Sequence, residues 1–468
     1  MHIHFIGICG TAMGNVALMM RAIGHTVTGS DENTYPPMSE LLADAGVEII
    51  RGFGSENLEP VPDLVVIGNK LSRGNIEVEA VLDRKLRYTS LPELLKEEVI
   101  RGRTSIVLAG THGKTTTSAM TSWVLDSAGL KPIFMIGGAP GNFEAGWHFH
   151  ADSHYVVLEG DEYDTAFFDK RSKFVHYLPT ILLINNIEFD HADIFASLDE
   201  ILLSFRRLVN IVPRNGLIVA NGDDPNAMNA IGHSFTPVCT IGFGKKCTLR
   251  ASNISFGTSK TSFDVVRSGQ VEAQITLSLL GEFNVRNALG VIAIARHLGI
   301  SYEEIGFAFR SFRNTRRRLE RIGEWNGVVL YDDFAHHPTA IAGTLHALRV
   351  RYPDARLRAI FEPRSNTTRR NVFQRELADC FRDADEVTLA QIDRLDELSP
   401  EERLDTERLV ADIADHGTEA HFLRDVPTIA EYVISTSRPD DVVVVMSNGR
   451  FGGIIEKLRG GLALPAKL

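Results

Sequence analysis

The segment 110–117 reads Gly-Thr-His-Gly-Lys-Thr-Thr-Thr and has the composition of a loop that binds phosphate. Glycines let backbone N–H groups wrap an anion, and a helix N-terminus adds about half a positive charge. Lys114 can reach the terminal phosphates of a nucleotide, and the hydroxyl of Thr115 can bind Mg²⁺. The usual P-loop has a glycine five positions before Gly113, where this chain has Leu108, so the sequence predicts a shortened variant. A glycine-rich turn without a ligand is the alternative, and the flanking buried strand and helix argue against it.

Two acidic segments follow predicted buried strands and are candidates for holding that magnesium. Residues 159–164 carry four carboxylates, and residues 188–193 carry three around His191. Magnesium on phosphate takes one or two carboxylates, and ligands of open α/β sheets bind beyond the carboxyl ends of the strands. Both segments can therefore converge on the phosphate loop. The alternative interpretations are a solvated acidic loop and a capping or core role for His191.

A second glycine-rich loop joins the first predicted strand to the first predicted helix. Residues 7–14 read Gly-Ile-Cys-Gly-Thr-Ala-Met-Gly, and Asp31 closes the second predicted strand. The dinucleotide spacing Gly-x-Gly-x-x-Gly would need glycines where the chain has Cys9 and Ala12. We therefore predict a loop whose backbone approaches a nucleotide-type diphosphate, with a purely structural tight turn as the alternative.

Basic and polar loops later in the chain offer further contacts for charged ligands. Residues 314–320 contain three consecutive arginines, which lie either on a solvated face or where they stabilise phosphate charge when domains close. Arg364 and Arg450 could each hold a carboxylate through two hydrogen bonds, with solvated side chains as the alternative. Three strand-end loops are expected to contact nucleotide or substrate, namely 331–338, 362–367 and 447–453.

The elements that must position these residues are short apolar strands alternating with helical stretches. Such β-α-β order calls for parallel sheets with right-handed crossovers. The pattern restarts near residues 100 and 314, which predicts an α/β protein of three domains. These are an N-terminal Rossmann-like domain at 1–99, a central P-loop domain at 100–313 and a C-terminal Rossmann-like domain at 314–468. The stretch 247–280 alternates and is rich in Ser and Thr, which predicts antiparallel hairpins.

Composition and charge argue against several classes of partner. The 468 residues carry a net charge of −11, so neither nucleic acid nor an anionic membrane is expected to bind. No apolar run approaches the roughly 20 residues of a membrane helix, and the start lacks the basic region of a signal peptide. Four scattered cysteines form no CxxC pair, which fits a reducing cytosol. We therefore expect a cytoplasmic protein.

Taken together, these motifs resemble those of the Mur ligases over essentially the whole chain. The segment 110–117 matches the family's GTHGKTTT, and Glu159 and His191 match a glutamate and a histidine tied to Mg²⁺. The resemblance implies ATP and Mg²⁺ as cofactors. The implied catalytic residues are Lys114, Glu159, His191 and Arg318, and the implied metal ligands are Thr115, Glu159 and His191. The implied ATP contacts are Gly110, Thr111, His112, Gly113, Lys114, Thr115, Thr116, Asn284, Asn287, Arg318 and Asp333.

The resemblance also implies a reaction, in which an amide bond forms through an acyl-phosphate. Its implied sugar substrate is UDP-N-acetylmuramate, with Gly10, Thr11, Ser30 and Asp31 as contacts. The loops 7–14, 362–367 and 446–453 resemble the branch that adds the murein tripeptide L-alanyl-γ-D-glutamyl-meso-diaminopimelate during peptidoglycan recycling. The residues suggested for the peptide are Arg364, Asn366, Ser447 and Asn448.

Two departures narrow the branch, and other functions stay open. Residues 203–207, about 15 positions after His191, contain no lysine, so the carbamylated lysine of some Mur ligases is missing. Cys9 stands where the L-alanine-adding branch usually has glycine. The alternatives are nevertheless that biosynthetic L-alanine ligase, a P-loop ATPase and a nicotinamide oxidoreductase. We expect a monomer or a weak homodimer.

Overall fold

The computed structural model describes residues 1–257 and 260–464, apart from the side chain of Leu395. Residues 258–259 of the predicted hairpins and residues 465–468 of the predicted third domain lie outside the described residues. The described chain forms three separate large sheets, each with its own helices, which confirms the predicted α/β class with three units. None of the helices in the described ranges has both the length and the apolar character needed to span a bilayer.

The first unit is a five-stranded parallel sheet with the order β3-β2-β1-β4-β5. Its strands are β1 (His2–Ile6), β2 (Thr26–Asp31), β3 (Glu48–Arg51), β4 (Leu64–Ile67) and β5 (Tyr88–Ser90), and its helices are α1 (Thr11–Ile23), α2 (Met38–Asp44), α3 (Ile76–Asp83) and α4 (Leu91–Leu95). The chain leaves β1 to one side and returns to β4 on the other. The loops after β1 and β4 therefore lie at a topological switch point, where open α/β sheets bind ligands.

The central unit contains a ten-stranded mixed sheet with the order β17-β16-β15-β14-β13-β12-β6-β9-β7-β8. Its strands are β6 (Thr104–Ala109), β7 (Ile133–Met135), β8 (Trp147–His148), β9 (Tyr155–Gly160), β12 (Ile181–Ile184), β13 (Leu217–Asn221), β14 (Val238–Gly242), β15 (Leu249–Phe256), β16 (Thr261–Arg267) and β17 (Gln270–Leu277); a separate hairpin pairs β10 (Asp164–Ala166) with β11 (Asp169–Ser172). Its helices are α5 (Lys114–Ser127), α6 (Leu198–Asn210), α7 (Pro225–Ile231), α8 (Glu282–His297) and α9 (Tyr302–Ser311).

The order of the central strands decides where the site forms. β6 pairs in parallel with β9 on one side and with β12 on the other, so the segments that follow these three strands lie side by side. The antiparallel pairing of β15, β16 and β17 confirms the predicted hairpins. Strands β6, β9 and β12 are buried apolar runs, as parallel strands covered on both faces must be.

The third unit is a six-stranded sheet with the order β18-β19-β23-β20-β21-β22, parallel except for β18. Its strands are β18 (Glu320–Trp325), β19 (Val328–Asp333), β20 (Arg356–Phe361), β21 (Glu386–Ala390), β22 (Glu419–Leu423) and β23 (Asp441–Met446), and its helices are α10 (Pro338–Arg351), α11 (Gln374–Asp379), α12 (Thr406–Asp415), α13 (Val426–Thr436) and α14 (Ile454–Leu462). The predicted boundaries after residues 99 and 313 fall between α4 and β6 and between α9 and β18, and as domain limits they stay predictions.

The buried carboxylate of Glu77 holds the glycine loop of the first unit in position. Glu77 on α3 is fully buried and accepts hydrogen bonds from the Ser30 hydroxyl at 3.0 Å and from the Asn57 amide at 2.9 Å. His4 on β1 contacts the same carboxylate at 2.7 Å. The Ser30 carbonyl in turn accepts the backbone N–H of Gly7 at 2.8 Å. Glu77 therefore fixes the end of β2 against the loop after β1.

Replacing Glu77 with alanine is expected to destabilise the first unit by about 3 kcal/mol, because several buried polar groups lose their acceptor at once. The matched control is Glu79→Ala on the same helix, where the carboxylate pairs with the exposed Arg73 at 2.9 Å. That pair lies on the surface, where solvent screens its charges, so its loss should change the free energy of unfolding much less. Urea denaturation followed by circular dichroism measures both variants, and equal losses for the two would contradict the supporting role of Glu77.

Candidate active site

The phosphate loop turns sharply between β6 and α5, and two glycines make the turn possible. Gly110 has a φ of +129°, and a Cβ there would lie 2.9 Å from the backbone oxygen of Asn186. Gly113 has a φ of +82°, and a Cβ there would lie 2.7 Å from Oδ1 of Asn287. Both positions combine a left-handed backbone with close neighbours, so only glycine fits without displacement. The loop ends at Lys114, the first residue of α5.

Lys114 is engaged by a carboxylate that the sequence did not single out. Its Nζ donates to Oε2 of Glu162 at 2.8 Å and to the carbonyl of Gly110 at 2.8 Å. Nε2 of His191 lies 2.9 Å from Oε1 of the same Glu162, whose side chain is 3% exposed. Burial would lower the pKa of Lys114, but Glu162 and then Asp161 raise it above its ordinary value. The predicted residues Lys114 and His191 are therefore joined through Glu162.

The predicted metal ligands Thr115 and Glu159 lie in direct contact. The Thr115 hydroxyl donates to Oε2 of Glu159 at 3.2 Å, and the backbone N–H of Gly137 donates to Oε1 at 2.7 Å. Burial raises the pKa of Glu159, and the Gly137 hydrogen bond and the Arg318 charge oppose that rise. Neighbouring ligands of octahedral Mg²⁺ lie about 3 Å apart, since each Mg–O bond is about 2.1 Å. The oxygen atoms of Thr115 and Glu159 are separated by the distance expected for neighbouring ligands, so these two residues would fit a magnesium site.

Arg318 reaches the central unit from the connection that precedes β18. Its Nη2 donates to the Thr115 hydroxyl at 3.0 Å, and its guanidinium stacks on the ring of Phe334 at 4.7 Å. Burial lowers the pKa of Arg318, whereas the charges of Asp333 and Glu159 act in the opposite direction. Asp333 itself accepts backbone N–H groups from Leu319 and Ala335, both at 2.6 Å. The arginine is thus held beside the phosphate loop by the third unit.

The predicted asparagine pair, Asn284 and Asn287, lies next to the phosphate loop. Asn287 donates to Oδ1 of Asn284 at 3.2 Å and accepts from Nδ2 of Asn185 at 3.2 Å. Asn284 donates to the carbonyl of Leu280 at 2.7 Å, and Thr116 donates to Asn314 at 3.3 Å. Asn284 and Asn287 are buried. Their direct contact with ATP stays a prediction.

A cavity of about 570 Å³ opens where the three units meet. It is lined by several residues that the sequence singled out, namely Thr11, Thr111, His112, Gly113, Lys114, Thr115, Thr116, Glu159, His191, Asn287, Arg318 and Asp333. Residues to which the sequence assigned no individual role also line it, among them Asn15, Asn69, Tyr163, Lys173, Asn185 and Arg286. Asn69 follows β4 at the topological switch point, which is the signal that could have identified it.

The glycine loop of the first unit presents the start of α1 to this cavity. Gly10 caps α1, and Thr11 is its first residue. Asp31 accepts the backbone N–H of Cys9 at 2.9 Å and that of Asn33 at 2.9 Å. The Ser30 hydroxyl is committed to Glu77. Ser30 and Asp31 therefore shape the loop, and their contact with a sugar nucleotide stays a prediction.

The four residues suggested for the peptide follow β20 and β23, and none is among the described residues that line the cavity. Ser447 is fully buried and donates to Glu362. Asn366 donates to Oδ2 of Asp193 at 2.7 Å, and Nη1 of Arg364 lies 3.3 Å from Oδ1 of Asp393. Oδ1 of Asn448 is buried and makes no hydrogen bond to any residue that the structure describes. Their roles toward a peptide stay predictions.

A polar cluster of His112, Glu188 and Thr339 connects the phosphate loop to the third unit. Oε2 of Glu188 lies 3.1 Å from Nε2 of His112 and accepts from the Thr339 hydroxyl at 2.7 Å. His337 donates from Nε2 to the carbonyl of Phe189 at 3.2 Å. The Thr367 hydroxyl donates to Asp190 at 2.8 Å. The third unit is therefore docked on the same acidic segment that carries His191.

Comparisons with known proteins agree with this architecture. Three Mur ligase models match in order: the family's catalytic domain at residues 2–102, the middle domain at 108–295 and the glutamate ligase domain at 317–449. The chain is 46% identical, over 100% of its length and 99% of the relative, to the UDP-N-acetylmuramate–L-alanyl-γ-D-glutamyl-meso-2,6-diaminoheptandioate ligase of Escherichia coli K12. It is 31% identical to the UDP-N-acetylmuramate–L-alanine ligase of Desulfitobacterium hafniense, over 96% of the chain and 97% of that relative.

Two solved structures are also similar to this chain. The murein peptide ligase of Psychrobacter arcticus 273-4 superposes with a TM-score of 0.71 at 38% identity, covering 100% of both chains. The UDP-N-acetylmuramate–alanine ligase of Thermotoga maritima superposes with a TM-score of 0.78 at 24% identity, covering 99% of this chain and 98% of that one. The second of these shows a shared fold alone.

Replacing Gly113 with alanine is expected to weaken ADP binding at least about tenfold, because the new Cβ meets Asn287 and the backbone is left-handed. The matched control is Gly129→Ala at the other end of α5, where φ is +76° and no atom of the described residues lies within 4 Å of a Cβ. That control carries the backbone strain without the clash. Isothermal titration with ADP measures both, and equal affinities for the two variants would contradict the steric argument.

His337 is expected to make the protein less stable as the pH falls from 7 to 5. Burial first, and then the charge of His112, lowers the pKa of His337 to about 4. The unfolded chain, with a pKa near 6.5, then binds a proton that the folded chain does not, which costs about 2 kcal/mol of stability by pH 5.

The variant His337→Asn tests this, since asparagine keeps the cap of α10 but does not titrate. Urea denaturation at pH 7 and pH 5 should show the variant losing about 2 kcal/mol less than the parent. The same pH-dependent loss in both proteins would mean that His337 is not the titrating group.

Proposed function

The chain belongs to the Mur ligase family, and from that premise we propose that it joins L-alanyl-γ-D-glutamyl-meso-diaminopimelate to UDP-N-acetylmuramate at the expense of ATP. The observation that carries this substrate assignment is the 46% identity to the Escherichia coli ligase of that name, over the whole chain. Relatives named as L-alanine ligases are more distant, at 30% to 33% identity. The products are the UDP-linked muramyl tripeptide, ADP and phosphate.

The sugar nucleotide binds to the first unit. Support comes from the switch point between β1 and β4, where the N-terminus of α1 meets the cavity at Thr11. The positive end of a helix favours a diphosphate. Gly10 lets the chain pass close to it, and Asp31 holds the backbone of the loop through Cys9. The lactyl carboxylate then extends across the cavity toward the phosphate loop.

Phosphoryl transfer is the first chemical step. An oxygen of the lactyl carboxylate attacks the γ-phosphorus of ATP, the bond from that phosphorus to the β-γ bridging oxygen breaks, and ADP leaves. Attack of an anion on an anion is slow unless positive charge is placed around the transferred group. Lys114 and Arg318 supply that charge, and the contact of Arg318 with Thr115 supports its role. Mg²⁺, when bound, supplies further positive charge, and Thr115 and Glu159 would hold it.

Amide formation is the second step. The free amine of the tripeptide attacks the carbonyl carbon of the acyl-phosphate, and the tetrahedral intermediate expels phosphate. Because an acyl-phosphate also reacts with water, the three units have to exclude solvent while it exists. The contacts of Glu188 with Thr339, and of Asp190 with Thr367, support a closed arrangement of the central and third units. Peptide recognition falls to the third unit, with Arg364, Asn366, Ser447 and Asn448 as the first residues to replace.

The setting that follows from these substrates is the cytoplasm, where ATP and UDP-sugars are available. The reaction returns a recovered wall peptide to a nucleotide-linked precursor, which is peptidoglycan recycling. We propose a monomer or a weak homodimer acting on small molecules, without nucleic acid or membrane as a partner.

The test is phosphate release with ATP, Mg²⁺ and UDP-N-acetylmuramate, comparing L-alanine with the tripeptide as acceptor. Release that depends on the tripeptide is expected. Release with L-alanine alone would move the assignment to the biosynthetic L-alanine ligase. Rapid release without any acceptor would indicate a P-loop ATPase instead. Reduction of a nicotinamide cofactor is not expected under any of these conditions.

The matched variant for this assay is Lys114→Ala. It is expected to lower phosphate release by at least about a thousandfold, since one preorganised charge at the transferred group is typically worth 10²–10³ and Lys114 also binds ATP. UDP-N-acetylmuramate affinity should stay within about twofold of the parent because that site lies on another unit. Loss of both functions would contradict the division of substrates between the units.

A further inference from the structure

We propose that Glu162 is a positioning residue whose ion pair with Lys114 competes with nucleotide phosphate, so that nucleotide and Mg²⁺ bind well only together. This inference rests on the proposed function for the use of ATP. It concerns a residue to which neither the motif nor the resemblance assigned a role. Glu162 touches Lys114 and His191, and it acts on substrate through them.

The contacts of Lys114 leave it no free donor. Its Nζ lies 2.8 Å and 3.0 Å from the two oxygens of Glu162 and 2.8 Å and 3.5 Å from the carbonyls of Gly110 and Thr111. An ammonium group has three N–H donors, and these four acceptors already share them. A phosphate can therefore bind Lys114 only by displacing an acceptor, and the two carbonyls are fixed in the loop. Glu162 is the acceptor that has to leave.

The charge of Glu162 opposes nucleotide binding for a second reason. Its carboxylate is 3% exposed, so little solvent screens it. It lies 2.8 Å from the ammonium of Lys114 and 2.9 Å from Nε2 of His191, which is the arrangement of an anion between two basic groups. A nucleotide phosphate that enters the loop meets this anion within a few ångströms. Free ADP should therefore bind poorly.

Displacement leaves a buried carboxylate without its ammonium partner. Breaking a buried ion pair by removing one partner typically costs about 3–5 kcal/mol, because an uncompensated charge remains. His191, 2.9 Å away, offsets part of that cost. The remaining demand for positive charge is met when a divalent cation arrives with the nucleotide. Glu162 thus links the two binding events, and linkage requires that each ligand raise the affinity of the other by the same factor.

The experiment measures ADP affinity by isothermal titration in four combinations, the parent and Glu162→Gln, each with EDTA or with saturating Mg²⁺. In EDTA the variant should bind ADP about tenfold more tightly, since the competing anion is gone; one tenfold step corresponds to about 1.4 kcal/mol. The factor by which Mg²⁺ raises ADP affinity should fall at least about tenfold in the variant. A residue with a merely structural role would not shift these two quantities in opposite directions.

The matched control is Asp164→Asn in the same acidic segment. Asp164 pairs with Lys170 at 2.6 Å. Within the part of the chain that the structure describes, it makes no hydrogen bond or ion pair with Lys114. The Asp164→Asn variant should bind ADP with the same affinity as the parent, both in EDTA and in saturating Mg²⁺. If Asp164→Asn reproduced the behaviour of Glu162→Gln, a general field of the acidic segment would explain the result, and the proposal would be overturned.

The remaining outcomes are equally decisive. ADP affinity in EDTA that is unchanged or weaker in Glu162→Gln overturns the proposal. If that variant does not fold, as judged by circular dichroism, Glu162→Ala decides, because it also removes the competing carboxylate and should tighten ADP binding in EDTA. No acceptor peptide enters these titrations. A failure here therefore leaves the tripeptide assignment intact, and a failure of the tripeptide assay leaves this result intact.

Discussion

The ammonium of Lys114 is largely shielded from solvent and pairs with an anion, and the organisation of the site follows from that pairing. In the described structure the partner is Glu162, which also holds His191. During the proposed reaction the partner is a phosphate. The exchange is possible because β6, β9 and β12 are adjacent and parallel, so the phosphate loop, the segment after Glu159 and the segment that carries His191 meet at one edge of the sheet. Sheet order therefore places the charges, and the charges decide what can bind.

The same constraint explains why three units are needed. An acyl-phosphate must form beside several positive groups and must be kept from water, and neither condition is met by the central unit alone. Arg318 comes from the start of the third unit and reaches Thr115, while Thr11 comes from the first unit and reaches the same cavity. The polar cluster of His112, Glu188 and Thr339 connects the phosphate loop to α10. The site is therefore complete only when the third unit contacts the central unit.

The strand ends were the part of the site that the sequence could predict. The runs before residues 110, 159 and 185 are apolar and end abruptly at glycine or polar residues, which marks where a parallel strand stops. The segments that follow them did converge. Which carboxylate in residues 159–164 faces inward was not predictable, because that depends on how the chain turns after β9 and not on spacing. Glu162 was therefore missed, although it lies in a segment that the sequence marked.

The burial of residues at the ends of strands was also not predictable from the sequence. The resemblance implied Ser30 as a sugar contact and suggested Ser447 for the peptide; both hydroxyls are buried against the carboxylates of Glu77 and Glu362, and the two roles stay predictions. Neighbouring residues of a strand face opposite sides of the sheet, so a one-residue difference decides between solvent and core. Lys173 belongs to no motif, and only the folding of β10 and β11 brings it to the cavity. Long-range packing supplied what local sequence could not.

If the lactyl carboxylate of the sugar nucleotide is activated by phosphoryl transfer, one of its oxygens must leave with the phosphate. The measurement uses UDP-N-acetylmuramate labelled with ¹⁸O in that carboxylate, converted to product with ATP, Mg²⁺ and the tripeptide, followed by mass analysis of the released phosphate. Each phosphate is expected to carry one oxygen from the carboxylate, since that oxygen bridges carbon and phosphorus in the acyl-phosphate. Phosphate without the label would mean that water or another group attacks ATP, and it would contradict activation through an acyl-phosphate.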